Sequence, residues 1–144
     1  RVAPTPPRPL TANEKAFRAM VRKAMWRRVE LAARDDVEGL YAVDLATAAL
    51  TDPPSAVLVS VAGWDGALGD YWAEHDEIRL DADARGPAHL HVAPDPEGAR
   101  AWLLRQTLAD PDENHDWVIE ARVDLDASDA AGEAVVLATG LRRL

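Results

Sequence analysis

Residues 115–126, His115-Asp116-Trp117-Val118-Ile119-Glu120-Ala121-Arg122-Val123-Asp124-Leu125-Asp126, alternate between an apolar and a polar side with almost no fault. Trp117, Ile119, Ala121, Val123 and Leu125 share one side, while Asp116, Glu120, Arg122, Asp124 and Asp126 share the other. A period of two is that of an extended strand with one face in a core and one in water. Sheets with one wet face are antiparallel as a rule, because buried parallel strands are apolar on both sides. Working outward, residues 101–109 and 133–143 read as the neighbouring strands, separated from the first by turn-forming stretches at 110–114 and 127–132. Residues 88–93 read as a fourth strand, closed by Pro94-Asp95-Pro96-Glu97-Gly98.

The first half of the chain has a different period. Thr11-Ala12-Asn13-Glu14 has the form of a capping box, which predicts a long helix starting there. On a helical wheel Phe17, Met20, Val21, Ala24 and Leu31 form an apolar stripe, and Lys15, Arg18, Arg22, Lys23 and Arg27 lie opposite. Arg28 falls inside the stripe, where it needs a carboxylate partner or a route to water. Trp26 projects among the basic residues. Asp35 and Asp36 cap a second helix of about 14 residues, with Val37, Leu40, Tyr41, Leu45 and Ala48 as its buried side. Residues 55–62, Ser-Ala-Val-Leu-Val-Ser-Val-Ala, are too short to show a decisive period and fit either a short strand or a helical turn, of which the strand is the reading preferred. Trp64, Leu68, Tyr71, Trp72 and His75 recur at three- and four-residue spacing and predict a third helix over 64–77. Helices first and strands last give an α+β fold, with the helices on one face of a curved antiparallel sheet. This element order resembles the nuclear-transport-factor-2-like cone.

The 144 residues suit one domain, and no apolar run approaches the roughly 18 residues of a membrane span. Residues 1–10, RVAPTPPRPL, read as a Pro-rich interdomain linker, leaving 11–144 as the domain, cut from a larger protein. The absence of cysteine fits a cytoplasmic location. The net charge of −9 is unevenly spread: residues 1–34 carry nine basic side chains against two acids, and the rest carry seven against 23. The basic first helix therefore faces something acidic, either the domain's own body or an external polyanion. Trp26 between Arg22, Lys23 and Arg27 is the combination that stacks bases and holds phosphates on a single strand, and with Arg18 it forms a candidate contact surface for nucleic acid or for another domain.

Asp112-Glu113-Asn114-His115 spells the D-E-x-H motif of superfamily 2 ATPases, but it follows Ala109-Asp110-Pro111 in an apparent turn, and the chain contains no phosphate-binding loop. Gly63, Gly66 and Gly69 lie in a helical pattern and do not make a dinucleotide fingerprint. His89-x-His91 on one strand face is a weak metal signal, with His115 or a carboxylate as a third ligand; histidines pointing at water are the plainer expectation. The alternation puts His115 on the inward side with Trp117. With Tyr71 and Trp72 these residues outline a candidate pocket, for a small ligand or for lyase- or isomerase-type chemistry with His115 as general base, though a structural histidine accounts for the same pattern.

Leu10 to Glu14, Met25 to Leu31, Tyr71 to Ile78, Ala84 to Pro87, and the block from Arg105-Gln106 through His115-Asp116-Trp117 to Asp124-Leu125 and Ser128-Asp129 span most of the chain after the linker. Together these stretches are similar to the C-terminal domain of uncharacterised function in a bacterial family of DEAD/DEAH-box superfamily 2 helicases. The resemblance implies a parent protein that hydrolyses ATP with Mg2+ and unwinds nucleic acid through residues upstream of Arg1. It implies a non-catalytic accessory domain here, without cofactor or metal of its own, that docks on the helicase core of the same polypeptide or guides a strand.

Overall fold

The computed structural model describes residues 8–144. Seven of the ten residues expected to form the Pro-rich linker lie outside that range. A short 3-10 helix, Leu10–Ala12, leads into α1 (Glu14–Ala33), α2 (Val37–Ala48) and α3 (Val61–Glu74). A second 3-10 turn at Pro87–His89 opens the sheet: β1 (Leu90–Pro94), β2 (Ala101–Thr107), β3 (Trp117–Asp124) and, after the short helix α4 (Leu125–Ala131), β4 (Val136–Arg143). The four strands form an antiparallel meander in chain order. The sheet curves without closing on itself, so the α+β class read from the sequence holds.

Alternation along β3 sets the layers. Trp117, Ile119, Ala121 and Val123 are buried and join Leu104 of β2 and Val136, Ala138 and Leu141 of β4 in one apolar cluster with the three helices. Glu120 and Arg122 point away; Arg122 pairs with Asp95 at 2.8 Å, and Glu120 pairs with both Arg105 and Arg142. Glu120 faces Gly140 and Ala121 faces Ala138, which leaves Thr139 as the extra residue of a bulge in β4. The strand is shorter at both ends than its alternation suggests. His115 has φ 54° and breaks the extended chain before Asp116, and Asp124 turns the chain by accepting a hydrogen bond from the Ala127 amide at the start of α4. The turn expected at 127–132 therefore contains a helix, ended by Gly132 in the left-handed region at φ 71°.

The helices require four corrections. The capping box is not formed: Leu10–Ala12 winds as a 3-10 turn, so the cap moves to Asn13, whose side chain accepts from Ala16 N. Thr11 is freed for a long-range tie, its amide and hydroxyl both donating to the Asp129 carboxylate at 2.8 and 2.9 Å. Residues 55–62 form no strand. Ser60 caps α3 by accepting from Gly63 N at 3.0 Å, which starts that helix at Val61 and ends it at Glu74. Met20 and Leu45, expected inside, are exposed; the buried row of α1 runs through Phe17, Val21, Met25, Val29 and Ala32. Trp26, expected on the outer basic face, is 6% exposed and belongs to the core, with the Arg85 guanidinium 5.6 Å from its ring centre.

Arg28, the cation in the apolar stripe, has the partner it needs. It is 1% exposed, and its Nη2 and Nε donate to Oδ1 of Asp44 on α2 at 2.6 and 3.2 Å. Nη2 also donates to the Val136 carbonyl at 2.7 Å, and Asp44 Oδ1 accepts from Ala138 N at 3.3 Å. One ion pair thus joins α1, α2 and β4. It also explains why Asp44, not Leu45, occupies the buried row of α2.

Candidate functional site

The outer face of α1 carries Arg18, Arg22, Lys23 and Arg27, all exposed. Residues four apart stack on a helix surface, so Arg18 and Arg22 form one row and Lys23 and Arg27 a second beside it. Arg18 pairs with Glu14 at 3.2 Å and lies 4.8 Å from the centre of the Trp102 ring. Among the described residues Arg22, Lys23 and Arg27 make no ion pair. A groove runs from Arg18 and Arg22 to Pro87, Leu90, His91 and Val92 at the free edge of the sheet; a second depression is bordered by Lys23, Arg27 and Glu133. The four cations of the expected contact surface are therefore all exposed, in two rows that border separate depressions, and Trp26 is removed from it. No aromatic ring on this ridge is free to stack on a base, since Trp26 is buried and Trp102 packs on Phe17 at 5.3 Å.

Of the pocket expected around His115, three members meet and one does not. Tyr71 contacts Trp72 and Trp117 edge-on, with ring centres 5.0 and 5.7 Å apart. His115 is exposed and lies against His89 at 5.1 Å, outside this aromatic group. His89 itself belongs to a 3-10 turn instead of the strand, so it shares no strand face with His91. Asp112 to His115 lie in the exposed loop between β2 and β3, as the flanking Asp110-Pro111 indicates.

His75 takes the place expected of His115. It follows Glu74 at the C-terminal end of α3, 6% exposed, with its ring centre 5.1 Å from that of Tyr71. Four carboxylates surround the imidazole: Asp110 and Asp112 at 3.8 and 3.7 Å from Nδ1, and Asp116 and Glu74 at 3.6 and 4.0 Å from Nε2. Among the described residues neither ring nitrogen has a hydrogen-bond partner, and Oδ1 of Asp116 has none either. Asp110 organises the loop that delivers these acids by accepting the amides of Asn114 and His115 at 2.9 and 2.8 Å. Burial pushes the Asp110 carboxyl up, but those two amides and the neighbouring His75 outweigh it and hold the group below the usual range. Glu74 is also held low, first by the Trp117 indole N–H and then by Arg143, against the opposing effect of desolvation. Burial, and then the charges of Asp110 and Asp116, push the Tyr71 phenol up; its hydroxyl donates to the Glu77 carbonyl.

Among the described residues, the groups with metal-ligand spacing are Glu74–His75–Asp116 and His75–Asp110–Asp112. The sequence does carry a signal for this cluster. His75 continues the buried row Trp64–Leu68–Tyr71, and Asp110, Asp112 and Asp116 recur within seven residues. What it lacks is any indication that the loop folds back onto the end of α3.

No curated protein and no solved structure matches the chain. One family model does, over residues 1–141, nearly the whole length. The chain belongs to the family described as a domain of unknown function, DUF3516.

Proposed function

We propose that this is a non-catalytic accessory domain of an ATP-dependent nucleic-acid helicase that guides a single strand along the basic ridge of α1. The helicase context is supported by the sequence resemblance alone, and the strand contact by the exposed cations Arg18, Arg22, Lys23 and Arg27. The observation that carries the contact is that Arg22, Lys23 and Arg27 stay unpaired among the described residues of a chain with net charge −9. With acids in such excess, cations left without partners point outward, toward an anion the chain does not itself supply.

With Trp26 in the core, the strand is held through its phosphates and not by stacking, which gives contact without sequence preference. Residues 35–144, with seven basic and 23 acidic side chains, repel phosphate away from the ridge. Affinity of the isolated domain is therefore low, and its contribution in a parent helicase is to position a strand the core already holds. ATP and Mg2+ belong to that core; this chain has no phosphate-binding loop to hold them.

Fluorescence anisotropy of a labelled single-stranded oligonucleotide tests the contact. The wild-type domain binds weakly at low salt, and Arg22→Glu/Lys23→Glu/Arg27→Glu weakens binding by about tenfold or more while the circular dichroism is unchanged. Equal affinity of the two proteins would remove the ridge from any strand path.

A further inference from the structure

We infer that His75, Asp110 and Asp112 form a binding site for a divalent first-row cation of the zinc class, which fastens the β2–β3 loop to the C-terminal end of α3. Two features point to it. The first is that His75 is buried with both ring nitrogens unpartnered, although carboxylate oxygens lie on every side. A buried imidazole that leaves both nitrogens unpaired loses its hydration without compensation, so such a ring normally has a partner.

The second is spacing. The nitrogen–oxygen separations of 3.6 to 4.0 Å are too long for hydrogen bonds. They are short for a bridging water, since two hydrogen bonds of about 2.8 Å meeting at a near-tetrahedral angle set the partners roughly 4.5 Å apart. Donors sharing a tetrahedral cation at about 2.0–2.2 Å lie about 3.4 Å from one another. Nδ1 with Asp110 Oδ2 at 3.8 Å and Asp112 Oδ2 at 3.7 Å needs only a small contraction to reach that figure.

Charge decides which side of the ring takes the ion. On the Nε2 side Arg143 already neutralises the acids, donating to Glu74 at 2.9 Å and pairing with Asp116 at 3.0 Å, and the Trp117 indole donates to Glu74 as well. A second cation there would face the guanidinium. On the Nδ1 side, among the described residues, no basic side chain pairs with Asp110 or Asp112. Asp110 Oδ2 accepts one amide hydrogen bond and keeps a lone pair for the ion. Coordination through Nδ1 fixes the proton on Nε2, which faces the unpartnered Oδ1 of Asp116 at 3.6 Å and has to close by about half an ångström to donate to it; an imidazole held between a metal and a carboxylate is oriented and made more basic. One nitrogen with two carboxylate oxygens suits Zn2+ better than the oxygen-seeking Mg2+ or Ca2+. The surface depression bordered by Trp72, Ala73, Asp76, Pro111 and Asp112 leaves the fourth position open to water.

The test is isothermal titration of chelator-stripped protein with ZnCl2 in excess Mg2+, together with 15N NMR of the histidine rings. The expected result is a single stoichiometric site whose filling moves the Nδ1 resonance of His75. Asp112 has a side chain 72% exposed, so Asp112→Asn leaves the fold intact and weakens zinc affinity by about tenfold or more. Glu74→Gln, on the other side of the ring, and His115→Ala, at the nearby histidine pair, each leave the affinity within about threefold. The proposal is overturned by absence of a stoichiometric site, by unchanged affinity in Asp112→Asn, or by loss of affinity in His115→Ala instead. It is equally overturned if His75 keeps both ring protons when zinc is added, since the ring is then a cation paired with its acids.

Discussion

Replacing Arg28 with alanine removes the one cation that compensates a carboxylate at the junction of three elements. Asp44 is 0% exposed, and its Oδ1 would keep the Ala138 amide at 3.3 Å, while Oδ2 has no partner among the described residues even in the intact protein. Removing one member of a buried pair costs about 3–5 kcal/mol, because the remaining charge stays desolvated. That is about a fifth or more of the roughly 5–15 kcal/mol that holds a domain folded. At roughly 3 °C per kcal/mol for a chain of this size, the midpoint should fall by about 10 °C or more. Urea unfolding followed by tryptophan fluorescence reads the loss directly, provided the slope m is unchanged. Arg28→Met/Asp44→Leu removes both charges and is expected within about 1 kcal/mol of the parent, so the double-mutant cycle gives a large coupling energy. A loss below about 1 kcal/mol for Arg28→Ala alone would show that Asp44 reaches water or another donor, and would refute the account of this junction.

Two further outcomes follow from the packing and the charges. Trp26→Ala is expected to destabilise by about 3–5 kcal/mol, as for other buried aromatic truncations, without altering the salt dependence of strand binding; a stable variant with reduced binding would return Trp26 to the contact surface. Asp95 is held below the ordinary carboxylate range first by the Glu97 amide and then by Arg122, and Asp129 first by the Thr11 amide and then, against desolvation, by the Thr11 hydroxyl and Arg100. Since these folded pKa values lie under the unfolded value of about 3.9, their contribution is complete above that pH and is lost as the pH falls through the folded values. Unfolding free energy measured against pH should therefore decline below about pH 4, and Asp129→Asn should flatten part of that decline; a rise in stability on acidification would contradict the assignment.

Much of the architecture is legible because it follows from local periods. The alternation at Trp117 to Val123 fixes a strand and its buried face, and the stranded charge of Arg28 announces an ion pair before any partner is known. Other features depend on contacts between segments far apart in the chain. Trp26 is covered from a flank that includes Arg85, and nothing near position 26 in the sequence signals that cover. Residues 55–62 contain apolar side chains on both sides of Ser60, so the cap, a hydrogen bond from Gly63, decides their fate where a period does not. Extending the β3 alternation back to His115 fails because that residue and Glu113 adopt positive φ, at 54° and 57°, to let the Asp110 carboxylate collect two amides. The same loop closure hides the buried histidine: Asp110 and His75 are 35 positions apart and meet only once the loop is folded.

The central claim, that the ridge of α1 holds a strand by its phosphates, is tested most directly by the salt dependence of oligonucleotide binding. Each phosphate contact on a single strand contributes roughly −0.7 to the slope of log K against log salt, so engagement of three or four of Arg18, Arg22, Lys23 and Arg27 predicts a slope of roughly −2 to −3. The triple glutamate variant, which keeps only Arg18 of the four, should show a slope no steeper than about −0.7. A wild-type slope within about 0.5 of zero, or a steep slope that survives in the variant, would contradict the claim.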